Sequence, residues 1–68
     1  MKFETFGLNV AKERMKLNIS VYELSLRLGK DASYIKKLEN GKINVSLKMI
    51  IEIANILNVS IETLFKEN

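Results

Sequence analysis

Apolar residues recur along this chain at spacings of three and four, and nowhere do they alternate with polar residues over the length of a strand. A period near 3.6 gathers such residues on one face of a helix, so the pattern predicts an all-α chain. Local punctuation divides it into five short helices. The first runs to about Leu17, with Phe6, Val10 and Met15 among its apolar positions, and Asn18 follows where a left-handed residue would end it. Ser20-Val21-Tyr22-Glu23 has the form of a capping box, in which the Ser side chain accepts from the Glu23 N–H and the Glu carboxylate reaches back. A second helix therefore starts at Val21, carries Leu24 and Leu28 on one face and stops at Gly29. Asp31 is placed to cap a third, which runs through Leu38 to about Asn40 before a second left-handed stop at Gly41. Ser46 and Ser60 are the expected caps of the fourth and fifth.

The fourth helix has an unusually wide apolar face. At about 100° per residue, Leu47, Met49, Ile50, Ile51, Ile53, Ala54, Ile56 and Leu57 span an arc of roughly 220°, and only Lys48, Glu52 and Asn55 mark a wet side. This predicts a central helix packed by several neighbours, with Met49 and Ile56 at the edges left for a partner.

Composition narrows the function classes. The 68 residues, 47% of them hydrophobic, suit one compact domain over residues 1–68 and are too few for two independent cores. A chain that begins with Met and ends shortly after its last helix is expected to be a whole protein. There is no Cys and no His, which excludes disulfides and soft metal sites. With no cluster of carboxylates on one surface either, the usual bases, nucleophiles and metal ligands are missing. The expectation is a non-enzyme with no catalytic residues, no metal or other cofactor and no small-molecule substrate. No apolar run approaches the roughly 20 residues of a membrane span, and MKFETFGLNV lacks a signal-peptide core, so a soluble, cytoplasmic protein is expected.

Charge is distributed unevenly. The formal net charge is +3, but residues 1–42 hold nine Lys and Arg against five acids, whereas residues 43–68 hold two against three. A basic N-terminal two thirds fits a polyanion partner and equally a solvated Lys-rich surface.

The segment LSLRLGKDASYIKKL changes that balance. Two helices crossing at about 90–120° through a short turn need facing aliphatic residues, a small residue near the crossing and a turn residue free to take positive φ. Leu24 and Leu28 against Ile35 and Leu38, then Ser25, then Gly29 meet those needs in order. From Val10 to about Phe65 the chain resembles the helix-turn-helix domains of phage repressors and Cro-type regulators. Arg14, ISVYELSLRLG, SYIKKLENGK and IANILNVSIETLF carry the resemblance, most specifically LENGK and the spacing of Ala54, Leu57, Val59, Ser60 and Leu64.

The resemblance implies a five-helix lambda-repressor-like domain that binds double-stranded DNA as a small transcriptional regulator. The third helix would lie in the major groove, with Ala32, Ser33, Lys36 and Lys37 on or beside the base-reading face. Lys37 is the first choice for a base contact, because an ammonium donates to guanine O6 and N7. Tyr34, Lys30, Asn40 (through its side chain and backbone N–H), Lys42 and Asn44 are the expected phosphate contacts, which position the protein without specifying sequence. Arg14 and Glu39 would form an inner ion pair between the first and third helices.

Several positions depart from the family pattern. Val21 replaces a Gln that reaches a phosphate, Lys30 an apolar residue, and Val45 a loop Pro. Ala32 and Ser33 stand where many relatives have longer polar side chains, which shifts weight from base contacts to DNA shape. One such domain offers few contacts, so a homodimer on an inverted repeat, acting as a repressor, is expected. Val59, Ile61, Phe65, Met49 and Ile56 are its candidate interface. The rival is a protein-interaction module, an antitoxin or adaptor, that binds a partner chain through helices four and five.

Overall fold

The computed structural model describes residues 2–67 and contains, among them, five helices and no strand. These are α1 (Phe3–Lys16), α2 (Val21–Leu28), α3 (Ala32–Glu39), α4 (Leu47–Leu57) and α5 (Ile61–Phe65). The chain is all-α, as its periodicity predicts.

Capping explains where α2, α3, α4 and α5 begin. Ser20, Asp31, Ser46 and Ser60 each accept a hydrogen bond from the backbone N–H three residues on, and at Ser20 the reciprocal bond from its own N–H to Glu23 completes the box. These side chains satisfy donors that have no partner inside the helix. At the other ends, Asn18, Gly29, Gly41 and Asn58 all have positive φ. The backbone reverses there, and the following N–H groups return to the last carbonyls: Lys30 to Ser25 at 2.9 Å and Val59 to Ala54 at 3.0 Å. Asn58 was not anticipated as a stop; an Asn tolerates the left-handed region nearly as Gly does.

The five helices share one core. Phe6 and Val10 of α1 meet Leu24 and Leu28 of α2, Ile35 and Leu38 of α3, Ile50, Ile53, Ala54 and Leu57 of α4, and Leu64 of α5. Two connecting residues, Ile19 and Val45, are buried with them. Phe65 stacks on Phe6 with ring centroids 5.0 Å apart, and Phe3 meets Phe6 edge-on.

The apolar positions are not all covered. Met15 is exposed: it falls on the outer side of α1, opposite the stripe through Phe6 and Val10. The apolar arc of α4 is also not covered all round. Ile50, Ile53, Ala54 and Leu57 are buried, but Leu47 and Ile51 remain 66% and 42% exposed. α4 packs against α1, α2 and α5, and the side that carries Leu47 and Ile51 stays open among the described residues.

Candidate nucleic-acid interface

α2 and α3 form the crossing pair. Leu24 and Leu28 are buried against Ile35 and Leu38, while the small Ser25 is also buried and donates to the Tyr22 carbonyl at 2.6 Å. Gly29, at φ 66°, turns the chain. Asp31 then starts α3 by accepting from the Tyr34 N–H at 2.8 Å.

α1 fixes α3 from behind. A Cβ on Gly7 would stand 2.7 Å from the Glu39 carbonyl oxygen and closer still to that of Leu38, so the two backbones meet only because this residue has no side chain. Gly41, at φ 70°, presses just as tightly on the Glu4 backbone. Arg14 adds a bidentate tie: its Nε donates to Glu39 Oε2 at 2.7 Å and its Nη2 to Oε1 at 3.0 Å. The third guanidinium nitrogen donates to the Ile19 carbonyl at 3.0 Å. Both charged side chains are largely covered, at 13% and 11% exposure. The Glu39 hydrogen bond and charge raise the Arg14 pKa above its usual value, outweighing the opposing effect of burial.

With its inner side locked, α3 presents one outer face. At about 100° per residue, Lys36, Asn40, Ser33 and Lys37 fall within an arc of about 100°, and all four are exposed. Ala32 and Tyr34 flank the arc and are half-buried. Lys30, in the turn, holds its Nζ 5.2 Å from the centre of the Tyr34 ring, a cation–π arrangement that sets a positive charge beside the start of α3. Burial raises the Tyr34 pKa. Lys42 and Asn44 are exposed in the loop beyond.

Asn40 also closes the helix that it follows. Its backbone N–H donates to the Lys36 carbonyl at 3.1 Å, and its side-chain amide donates to the same carbonyl at 2.9 Å. The N–H groups of Gly41 and Lys42 likewise return to Leu38 and Lys37. These donors close the end of α3, so only the second hydrogen of the Asn40 amide is left to face outward.

On α4, α5 and the turn between them, the residues expected at a dimer surface divide. Ile61 is 39% exposed, whereas Met49, Ile56, Val59 and Phe65 are half-buried and packed against the core. Phe65 closes the core through its stack on Phe6. Leu47 and Ile51, which the periodicity assigned to the interior, are the larger exposed apolar groups there.

Sequence reasoning also missed Asn9. It is buried in α1 and its amide donates to the carbonyls of Leu64 and Lys66 at 3.0 and 2.8 Å, which would otherwise lack partners at the end of a five-residue helix. A polar residue within the apolar stripe of α1 was the available signal.

The crossed pair, its glycine turn and the free outer face of α3 define a helix-turn-helix domain. A helix-turn-helix family model matches residues 10–64. A helix-turn-helix-type transcriptional regulator of Archaeoglobus fulgidus is 42% identical over 52 residues, covering 76% of this chain and 73% of that protein. Among solved structures, the restriction-modification controller protein C.AhdI of Aeromonas hydrophila superposes with a TM-score of 0.85 at 31% identity, over 94% of this chain and 93% of that one. The clp gene regulator ClgR of Corynebacterium glutamicum shares the fold, with a TM-score of 0.88 at 20% identity over 94% and 68% of the two chains. The chain belongs to the helix-turn-helix family of DNA-binding transcriptional regulators. That is the family its motifs resemble, and its members are not enzymes. Among the described residues, no helix is long and apolar enough to cross a membrane.

Proposed function

We propose that the protein is a cytoplasmic repressor that binds an inverted-repeat operator as a homodimer, one α3 in each of two successive major grooves. The observation that carries this reading is the outer face of α3: Ser33, Lys36, Lys37 and Asn40 are exposed together on a helix whose inner face is locked to α1 and α2. Lys37 donates to guanine O6 or N7. Lys36, Lys42, Asn44, Lys30 and the Tyr34 hydroxyl engage phosphates, and Ala32 approaches a thymine methyl.

Dimerisation uses the uncovered side of α4 and the start of α5, where Leu47, Ile51 and Ile61 are exposed. One domain makes few phosphate contacts, and two-fold doubling on half-sites about one turn apart supplies the rest. A dimer seated in this way covers the duplex, and occlusion makes it a repressor. The controller function of C.AhdI supports a regulatory role.

Selection from a random duplex library at physiological salt tests the proposal. Enrichment of an inverted repeat with half-sites about one helical turn apart, altered at one base pair by Lys37→Ala, is the expected result. The exposed apolar face also favours a second reading, an antitoxin or adaptor that binds a partner protein through α4 and α5. Absence of any enriched sequence and of salt-sensitive retention would select it.

A further inference from the structure

Asp31 caps α3, but its carboxylate has a second partner on the outward face. Ser33 Oγ lies 2.6 Å from Asp31 Oδ1, the same oxygen that accepts the Tyr34 N–H. An ionised carboxylate can only accept, so the serine is the donor and its single proton is committed to Asp31. Such a bond, with a charged acceptor, is among the stronger ones available to a hydroxyl. The carboxyl remains ionised: its pKa is lowered from the ordinary 3.8, first by the Ser33 bond, then by the Tyr34 N–H, with the positive charge of Lys37 assisting.

We infer that Ser33 reads DNA as an obligate acceptor, selecting bases that present an amino group in the major groove, and that Asp31 is the positioning residue that imposes this polarity. A free serine hydroxyl rotates and serves as donor or acceptor, so it discriminates weakly. With its proton held by Asp31, only lone pairs face outward. These accept from cytosine N4 or adenine N6 and are repelled by guanine O6 and thymine O4. Lys37, one helical turn further on, has donors alone and takes the opposite bases. Ser33 and Lys37 thus form a complementary acceptor–donor pair on one face of the helix.

The inference rests on the proposal that α3 enters the major groove, and duplex selection separates the two. The wild-type chain is expected to enrich cytosine or adenine at one position of each half-site by about three- to tenfold, the range one hydrogen bond supports. Ser33→Ala, which leaves the cap intact, abolishes that preference and leaves the other positions unchanged, whereas Ser33→Thr keeps it. Asp31→Gly removes the acceptor while Gly remains an adequate N-cap; guanine and thymine are then admitted at the same position. Asp31→Asn, whose amide oxygen still accepts, retains the preference. A purely structural Asp31 would instead weaken all sequences equally. A motif whose amino-base preference survives Ser33→Ala but not Asp31→Gly would mean that Asp31 itself reads the base, and would overturn the inference. A wild-type preference for guanine or thymine at the Ser33 position would overturn it as well, with the DNA-binding proposal intact. Failure to enrich any duplex would overturn both.

Discussion

At the scale of single residues, the charges divide by the work they do. Arg14 and Glu39 are largely covered and bonded bidentately, so removing one charge leaves the other poorly compensated. Glu39→Gln is expected to cost about 2–4 kcal/mol, between a lost charged hydrogen bond and a broken buried pair. An unchanged midpoint in urea unfolding would contradict this. Asp31, by contrast, is exposed, and its contribution is visible through pH. Its pKa is lowered in the folded state, so its stabilisation is complete above the ordinary value and is lost as pH falls through the folded one. The stability gap between wild type and Asp31→Gly should therefore narrow as the pH falls below 3.8; a constant gap across the acid range would refute the assignment. The ion pair was legible only through resemblance, because nothing in the local sequence joins position 14 to position 39. The Asp31–Ser33 bond spans two residues and was visible in principle, but a cap was the only role read for that aspartate.

Among the helices, α1 positions the one that is proposed to meet DNA. Gly7 is the contact point where α1 and the end of α3 touch backbone to backbone. An alanine there gains about 1 kcal/mol of helix propensity, but overpacking typically costs about 1–3 kcal/mol and more where neither side can yield. The obstacle is two carbonyl oxygens rather than a flexible side chain, so strain wins. Gly7→Ala should lower stability and weaken any duplex binding by shifting α3; a stabilised variant would contradict the packing. Helix boundaries were readable because caps are local: Ser20, Asp31, Ser46 and Ser60 announce themselves within four residues. Gly7 was not, since an ordinary glycine inside a helix acquires meaning only from α3 across the core, and Asn9 showed as a polar residue beside an apolar stripe without showing its partners in and after α5. The wide apolar face of α4 was legible as a pattern and misread as burial. Periodicity reports which side of a helix avoids water, not which molecule covers it.

For the whole molecule, the proposed function uses two faces: the outer arc of α3, and the apolar side of α4 with the start of α5. Ile51→Glu places a charge on the second without touching the buried residues of α4. If that face joins two copies, sedimentation should show the substitution shifting a dimer to the 7.8 kDa monomer with little loss of helicity. Equal behaviour of wild type and variant would remove this side from the interface. The central claim, that α3 lies against a polyanionic duplex, is most directly tested by the salt dependence of binding. Duplex affinity should be measured at a series of salt concentrations for wild type and for the Lys36→Ala, Lys37→Ala double variant. Each phosphate neutralised contributes about −0.9 to the slope of log K against log[salt]. A steep slope is expected for the wild type, shallower by about 1 in the double variant, where Lys36 is lost from a phosphate. A wild type with no salt-sensitive binding, or slopes identical in the two proteins, would show that α3 does not meet DNA as described.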